Sequence, residues 1–173
     1  GEHQPLLHIG PEKGRFLDEA VRERAPSSVL EIGAYIGYSA IRIARLLPVD
    51  AHVISLEENL DNAGLAKENI AHAGLKHRVT VLHGTVQKFS GTLRPVDMIF
   101  MDHKKALYLE ELHRLESLGL IRAGTVVVAD NVQGLKHLAK RQEAIEAGKR
   151  KYPCNCQNKA CNYVNYVKRS EWA

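Results

Sequence analysis

Apolar positions along the chain follow two rhythms. Short, nearly continuous apolar runs lie at residues 28–32, 52–56, 79–82, 96–101 and 125–129. Runs this short, bounded by polar and turn residues, are expected of strands covered on both faces of a sheet. Between them the apolar residues recur at helical spacing, and the pattern predicts helices over about 12–24, 38–47, 60–73, 107–118 and 135–147. In the first of these, Pro11 suits an opening helical turn, and Phe16, Leu17, Ala20 and Val21 form one apolar stripe. The last ends at Gly148 ahead of Lys149, Arg150 and Lys151, charges that favour the carbonyl end of a helix dipole. A loop rich in Asn and Cys follows, and then a short final strand near 163–167.

Strand and helix in regular alternation predict an α/β fold: a Rossmann-like open, mostly parallel sheet with helices on both faces. No repeat, Ser/Gly linker or second core breaks the pattern, so one domain over residues 1–173 is expected. Right-handed crossovers bring every strand's C-terminal end to one rim, and ligands of such sheets bind there. The residues just after each strand are therefore the ones to read.

Composition narrows the field further. With 45% apolar and 25% charged residues, the chain is of ordinary globular type. A net charge of +4 admits anionic ligands but lacks the basic stripe of a nucleic-acid binder, and no apolar run reaches the roughly 20 residues needed to span a bilayer. Cys154, Cys156 and Cys161 are an odd number crowded into one segment, unlike a secreted disulfide framework. They fit reduced thiols and a cytoplasmic protein better than a zinc site, which takes four ligands and would need a distant residue such as His137.

The rim carries chemistry at four places. After the first strand, Glu31 leads into Gly33-Ala-Tyr-Ile-Gly37-Tyr-Ser39. Glycines there let a ligand approach the backbone, but the spacing is not the Gly-x-Gly-x-x-Gly of a dinucleotide fold, and the acid suits a cationic, amino-acid-bearing ligand better than a phosphate. After the second strand, Glu57 stands where a carboxylate commonly takes both hydroxyls of a ribose, and Glu58 reads as solvent-exposed. After the third, Gly84, Thr85 and Gln87 offer a small, amide-bearing seat for an adenine ring. After the fourth and fifth come Asp102-His103-Lys104-Lys105 and Asp130-Asn131. Two carboxylates and an amide carbonyl at neighbouring strand tips are a hard oxygen set suited to Mg²⁺. Lys105 beside such an ion would find its ammonium form disfavoured and could act as a general base.

Residues 29–39 (Val-Leu-Glu-Ile-Gly-Ala-Tyr-Ile-Gly-Tyr-Ser), 101–105 (Met-Asp-His-Lys-Lys) and 124–131 (Gly-Thr-Val-Val-Val-Ala-Asp-Asn) together resemble the catechol O-methyltransferase family, within the class I S-adenosylmethionine-dependent methyltransferases. The resemblance runs in register from about residue 7 to residue 132. It implies a class I methyltransferase fold and the cofactors S-adenosylmethionine and Mg²⁺. Leu7, Ile9 and Gly10 would lie along the organic cofactor, and Glu31, Gly33, Tyr35, Tyr38 and Ser39 around its methionine part. Glu57 would take the ribose. Gly84, Thr85 and Gln87 would line the adenine, with His103 and Lys104 at its edge, and Asp102 would border both cofactor and metal. Asp102, Asp130 and Asn131 would hold the metal, and Lys105 would be the catalytic base. The implied partner is a small vicinal diol of catechol type, with no nucleic acid and no membrane involved.

Three departures touch the acceptor side. The family has a Trp between the His and the catalytic Lys, where this chain has Lys104. Its Pro-containing loop after the Asp-Asn pair is replaced by Val132-Gln-Gly-Leu-Lys-His137, and the late acceptor-binding glutamate has no counterpart around Tyr163-Val-Asn-Tyr166. A catalytically silent relative that keeps the cofactor fold is therefore the competing reading.

Overall fold

The computed structural model describes residues 10–130, with side-chain surroundings from residue 13 onward. The elements run α1 (Gly10–Arg24), β1 (Ser28–Ile32), α2 (Tyr38–Leu46), β2 (His52–Glu57), α3 (Leu60–His72), β3 (Val79–His83), β4 (Met98–Met101), a 3₁₀ turn (Lys105–Leu107), α4 (Tyr108–Ser117) and β5 (Val126–Ala129). The five strands form one parallel sheet in the order β3-β2-β1-β4-β5. Strand order reverses between β1 and β4, so the crevice at the carboxyl ends of these two strands is the natural ligand position.

Burial on both faces explains the unbroken apolar runs. Along β4, Met98 and Phe100 pack with Leu17 and Val21 of α1, Ile43 of α2 and Ile70 of α3. The alternate residues Ile99 and Met101 pack with Tyr108, Leu112 and Leu115 of α4 on the other face. All four β4 residues are fully buried, and each such side chain contributes about 1.5–3 kcal/mol of burial free energy. Helix α1 is fastened to α2 by a bidentate pair: Arg42 donates from Nε and Nη2 to Asp18 at 2.6 and 2.8 Å, and reaches Gly14 O and the Tyr38 hydroxyl as well. The Asp18 carboxylate accordingly raises the Arg42 pKa further above its ordinary value.

Element boundaries differ from the sequence expectation by one or two residues, for local reasons. β4 starts at Met98 because Val96 donates its N–H to Leu120 O, beyond α4, and Asp97 caps the β1 entry by accepting from Ser27 N and Ser28 N. β5 starts at Val126 because Thr125 closes a turn with Arg122 through two hydrogen bonds. Phe16 is a correction. It lies beside the α1 stripe and is 66% exposed, whereas Leu17 and Val21 carry the contact. The expected helix over 135–147, the cysteine-bearing loop and the final strand lie outside the described residues. Among the described residues no helix is long and apolar enough to cross a membrane.

Candidate functional site

The turn from β1 into α2 is wound through left-handed backbone. Gly33 has φ +100° and Gly37 φ +85°, and Tyr35 between them also has a positive φ, 47°. A Cβ on Gly33 would stand 2.7 Å from Asp102 O. A side chain there would push the β1 and β4 tips apart, which is why the position needs glycine. The unusual conformation at Tyr35 is held by its own N–H, which donates to Glu57 Oε2 at 2.7 Å. Asn59 N donates to the other oxygen, Oε1, at 2.9 Å. Glu57 is thus fixed by two backbone donors, and each of its oxygens keeps acceptor capacity for a further hydroxyl.

These tips enclose a cavity of about 400 Å³ at the switch point. Gly33, Tyr35, Glu57, Gly84, Thr85, Asp102, His103 and Lys104 line it, and all were singled out from sequence. So do Ile32, Leu56 and Val86, which supply an apolar surface of the kind a flat ring needs, and the polar residues Glu58, Asn62 and Glu111. Sequence reasoning passed over five of these and set Glu58 aside as solvent-exposed. Strand-end position was the available signal for Ile32 and Leu56, while Val86 was hidden by Gln87 beside it. Gln87 itself is exposed, and among the described residues Val86 takes the wall position expected for it. Glu58 is 56% exposed, as expected, and lies 3.8 Å from the exposed Lys104 ammonium. Such a pair contributes little in water.

Glu31 and Ser39, both expected at the site, are buried and do not line the cavity. Glu31 is completely buried on the face covered by α1, α2 and α3, directly opposite Ser55 in the parallel register. Its Oε2 accepts from the Ser55 hydroxyl, and its Oε1 is buried without a partner. Burial raises its pKa from 4.5 to about 7, against the opposing hydrogen bonds from Ser39 and Ser55. A carboxyl in this state becomes an anion when a cation arrives to pair with it. Tyr38 is half-buried and receives the Arg42 hydrogen bond, so it helps hold α1 in place.

At the cavity's other side the ladder continues past the strands. Asp102 N donates to Ile32 O at 2.9 Å and Asp130 N to Met101 O at 3.0 Å. The buried Tyr108 hydroxyl donates to Met101 O at 2.8 Å, with Asp130 O at 3.3 Å, and ties the two tips together. Both carboxylates meet lysines. Lys105 Nζ is 2.7 Å from Asp102 Oδ1 and 3.9 Å from Asp130 Oδ2. Lys13 Nζ, from α1, is 3.2 Å from both oxygens of Asp130. Burial raises the Asp102 pKa, and the Lys105 ammonium opposes that shift. His103 is driven down to about 4 by burial and by the Lys105 charge, so its ring is neutral. Both of its ring nitrogens, and Glu111 Oε1, are buried without hydrogen-bond partners.

The donor chemistry fits Mg²⁺. Two carboxylates at adjacent strand tips already share one cationic centre, the Lys105 ammonium. Among the described residues no third His, Cys, Asp or Glu joins them. Leu7, Ile9 and Asn131 lie outside the described residues, and Gly10 opens α1.

Comparison with known proteins agrees with this geometry. A family profile described as O-methyltransferase matches residues 2–159. The chain is 46% identical over 132 residues to catechol O-methyltransferase of Sus scrofa, covering 73% of this chain and 71% of that protein. Its identity to the Bos taurus catechol O-methyltransferase is 42% over 137 residues, covering 76% of this chain but 50% of the relative. An O-methyltransferase from Streptomyces achromogenes involved in tomaymycin synthesis, solved in complex with SAM, superposes with a TM-score of 0.74 at 29% identity, covering 96% of this chain and 73% of that one.

Proposed function

Since the chain belongs to the O-methyltransferase family, we propose that its rim cavity binds S-adenosylmethionine and that it methylates a hydroxyl of a small, catechol-like vicinal diol in a Mg²⁺-dependent reaction. The observation that carries the reading is the cavity at the β1–β4 switch point, with the fixed Glu57 carboxylate on its wall and the Asp102–Asp130 pair at its edge. The relatives' names and the methyl donor bound to the Streptomyces enzyme support it.

The organic cofactor, when bound, supplies an electrophilic methyl on a sulfonium. Mg²⁺, when bound, supplies a Lewis acid that lowers the pKa of neighbouring hydroxyls. Asp102 and Asp130 would hold the ion, together with Asn131. Glu57, held by the Tyr35 and Asn59 N–H groups, would accept the two ribose hydroxyls. Ile32, Leu56 and Val86 would give the base an apolar surface to lie on. Glu31, buried behind the glycine turn, would supply the negative charge for the amino-acid part, losing its proton on pairing. In the transfer, the acceptor oxygen would form a bond to the methyl carbon as the carbon–sulfur electron pair returns to sulfur. The hydroxyl proton goes to Lys105 Nζ. Lys105 can take it only as the free amine. Lys105 Nζ stands 2.7 Å from Asp102 Oδ1 and 3.9 Å from Asp130 Oδ2, so a cation held by these carboxylates would take over its two partners. Most of the acceleration comes from holding oxygen, methyl and sulfur in line.

Transfer of a labelled methyl from S-adenosylmethionine to a panel of vicinal diols, with Mg²⁺ and with chelator, tests this. Turnover that needs both the diol and Mg²⁺ is expected. Cofactor binding with no transfer to any diol would favour a catalytically silent family member.

A further inference from the structure

The lysine on α1 is not part of the reaction just described, yet it occupies one of the two carboxylates at the strand tips. We propose that Lys13 is a built-in counter-cation for Asp130, one that a divalent ion must displace, and that it thereby sets the metal affinity of the site. The inference rests on the Mg²⁺ reading above.

Asp130 has a side chain only 6% exposed, so leaving it ionised and alone is costly. Lys105 reaches it at only 3.9 Å and is engaged more closely with Asp102 at 2.7 Å. Lys13 faces both Asp130 oxygens at 3.2 Å, across 117 residues of sequence. The cluster of Asp102, Asp130, Lys13 and Lys105 is therefore electrically neutral as it stands. A dication added to it would meet two ammoniums at close range, so at least one must withdraw. Lys13 is the one able to move: its side chain is 39% exposed, against 28% for Lys105, and its flexible stem can carry the ammonium into water. It competes with the metal for the same oxygens and contributes no ligand of its own.

Calorimetric titration of MgCl₂ into the parent, Lys13→Met and Lys13→Arg tests the idea, and needs no turnover. Lys13→Met should bind Mg²⁺ roughly tenfold or more tightly than the parent, the order expected when a unit charge close to a dication is removed. Lys13→Arg, which keeps the charge, should stay within about threefold of the parent. In chelator, Lys13→Met should melt below the parent because Asp130 has lost its partner, and excess Mg²⁺ should raise its melting temperature by more than it raises the parent's. If parent and Lys13→Met bind Mg²⁺ equally, or the variant binds more weakly, the role assigned to Lys13 is wrong while the metal site stands. If neither protein binds Mg²⁺, the metal reading itself fails and this inference goes with it.

Discussion

Replacing Glu31 by Gln isolates one buried proton. In the folded protein the Glu31 carboxyl has its pKa raised from 4.5 to about 7 by complete burial. The folded state therefore holds a proton that the unfolded chain releases near its ordinary pKa. The contribution is fully present below pH 4.5 and is lost as pH rises through about 7. The shift corresponds to about 3 kcal/mol of unfolding free energy across that window. His103 acts in the opposite direction. Its pKa falls from 6.5 to about 4, so its contribution is present at high pH and is lost as pH falls through that range. The raw pH profile of the parent mixes the two, and the informative quantity is the difference between parent and Glu31→Gln. Urea unfolding of both, without cofactor, at intervals from pH 4 to pH 8 gives that difference directly. Glu31→Gln should gain on the parent by about 3 kcal/mol between pH 4.5 and pH 7.5. Parallel profiles would refute the claim that the folded protein buries a protonated carboxyl here. The same proton links stability to function. S-adenosylhomocysteine bound near pH 6 should release a proton from the parent and none from the variant, read as buffer-dependent calorimetric enthalpies.

Two further substitutions probe the strand tips. Asp102→Ala should abolish methyl transfer while leaving S-adenosylhomocysteine affinity nearly unchanged, since Asp102 is assigned chiefly to the metal; unchanged turnover would remove it from the site. Gly33→Ala should cost about 1–3 kcal/mol through its left-handed backbone alone, and more because its Cβ would stand 2.7 Å from Asp102 O. An alanine variant as stable to urea as the parent would show that the turn relaxes freely.

The layout of the rim could be read from the chain because parallel strands buried on both faces leave compact apolar runs, and because polar residues at their ends have few other reasons to be there. Glu57, Asp102 and Asp130 were found in this way, and each lies at a strand end on one rim. The features that escaped are those set by packing across distance or by a single step of side-chain alternation. Lys13 is separated from Asp130 by nine intervening elements, and nothing local marks it as other than a solvated helix charge. Glu111 reads as one of two acids in the first turn of α4, and only the fold brings it to the cavity. In the segment after β3, sequence pointed to the polar Gln87, while the buried Val86 faces the cavity. The helical period placed Phe16 on the α1 stripe one position away from the residue that docks.

The account turns on whether this cavity holds an S-adenosyl ligand through Glu57. Calorimetric titration of S-adenosylhomocysteine into the parent and into Glu57→Ala tests that most directly. The parent should bind one equivalent, and the variant should bind roughly tenfold or more weakly, as expected when hydrogen bonds to a charged acceptor are lost. No binding by the parent, or equal binding by both proteins, would contradict it.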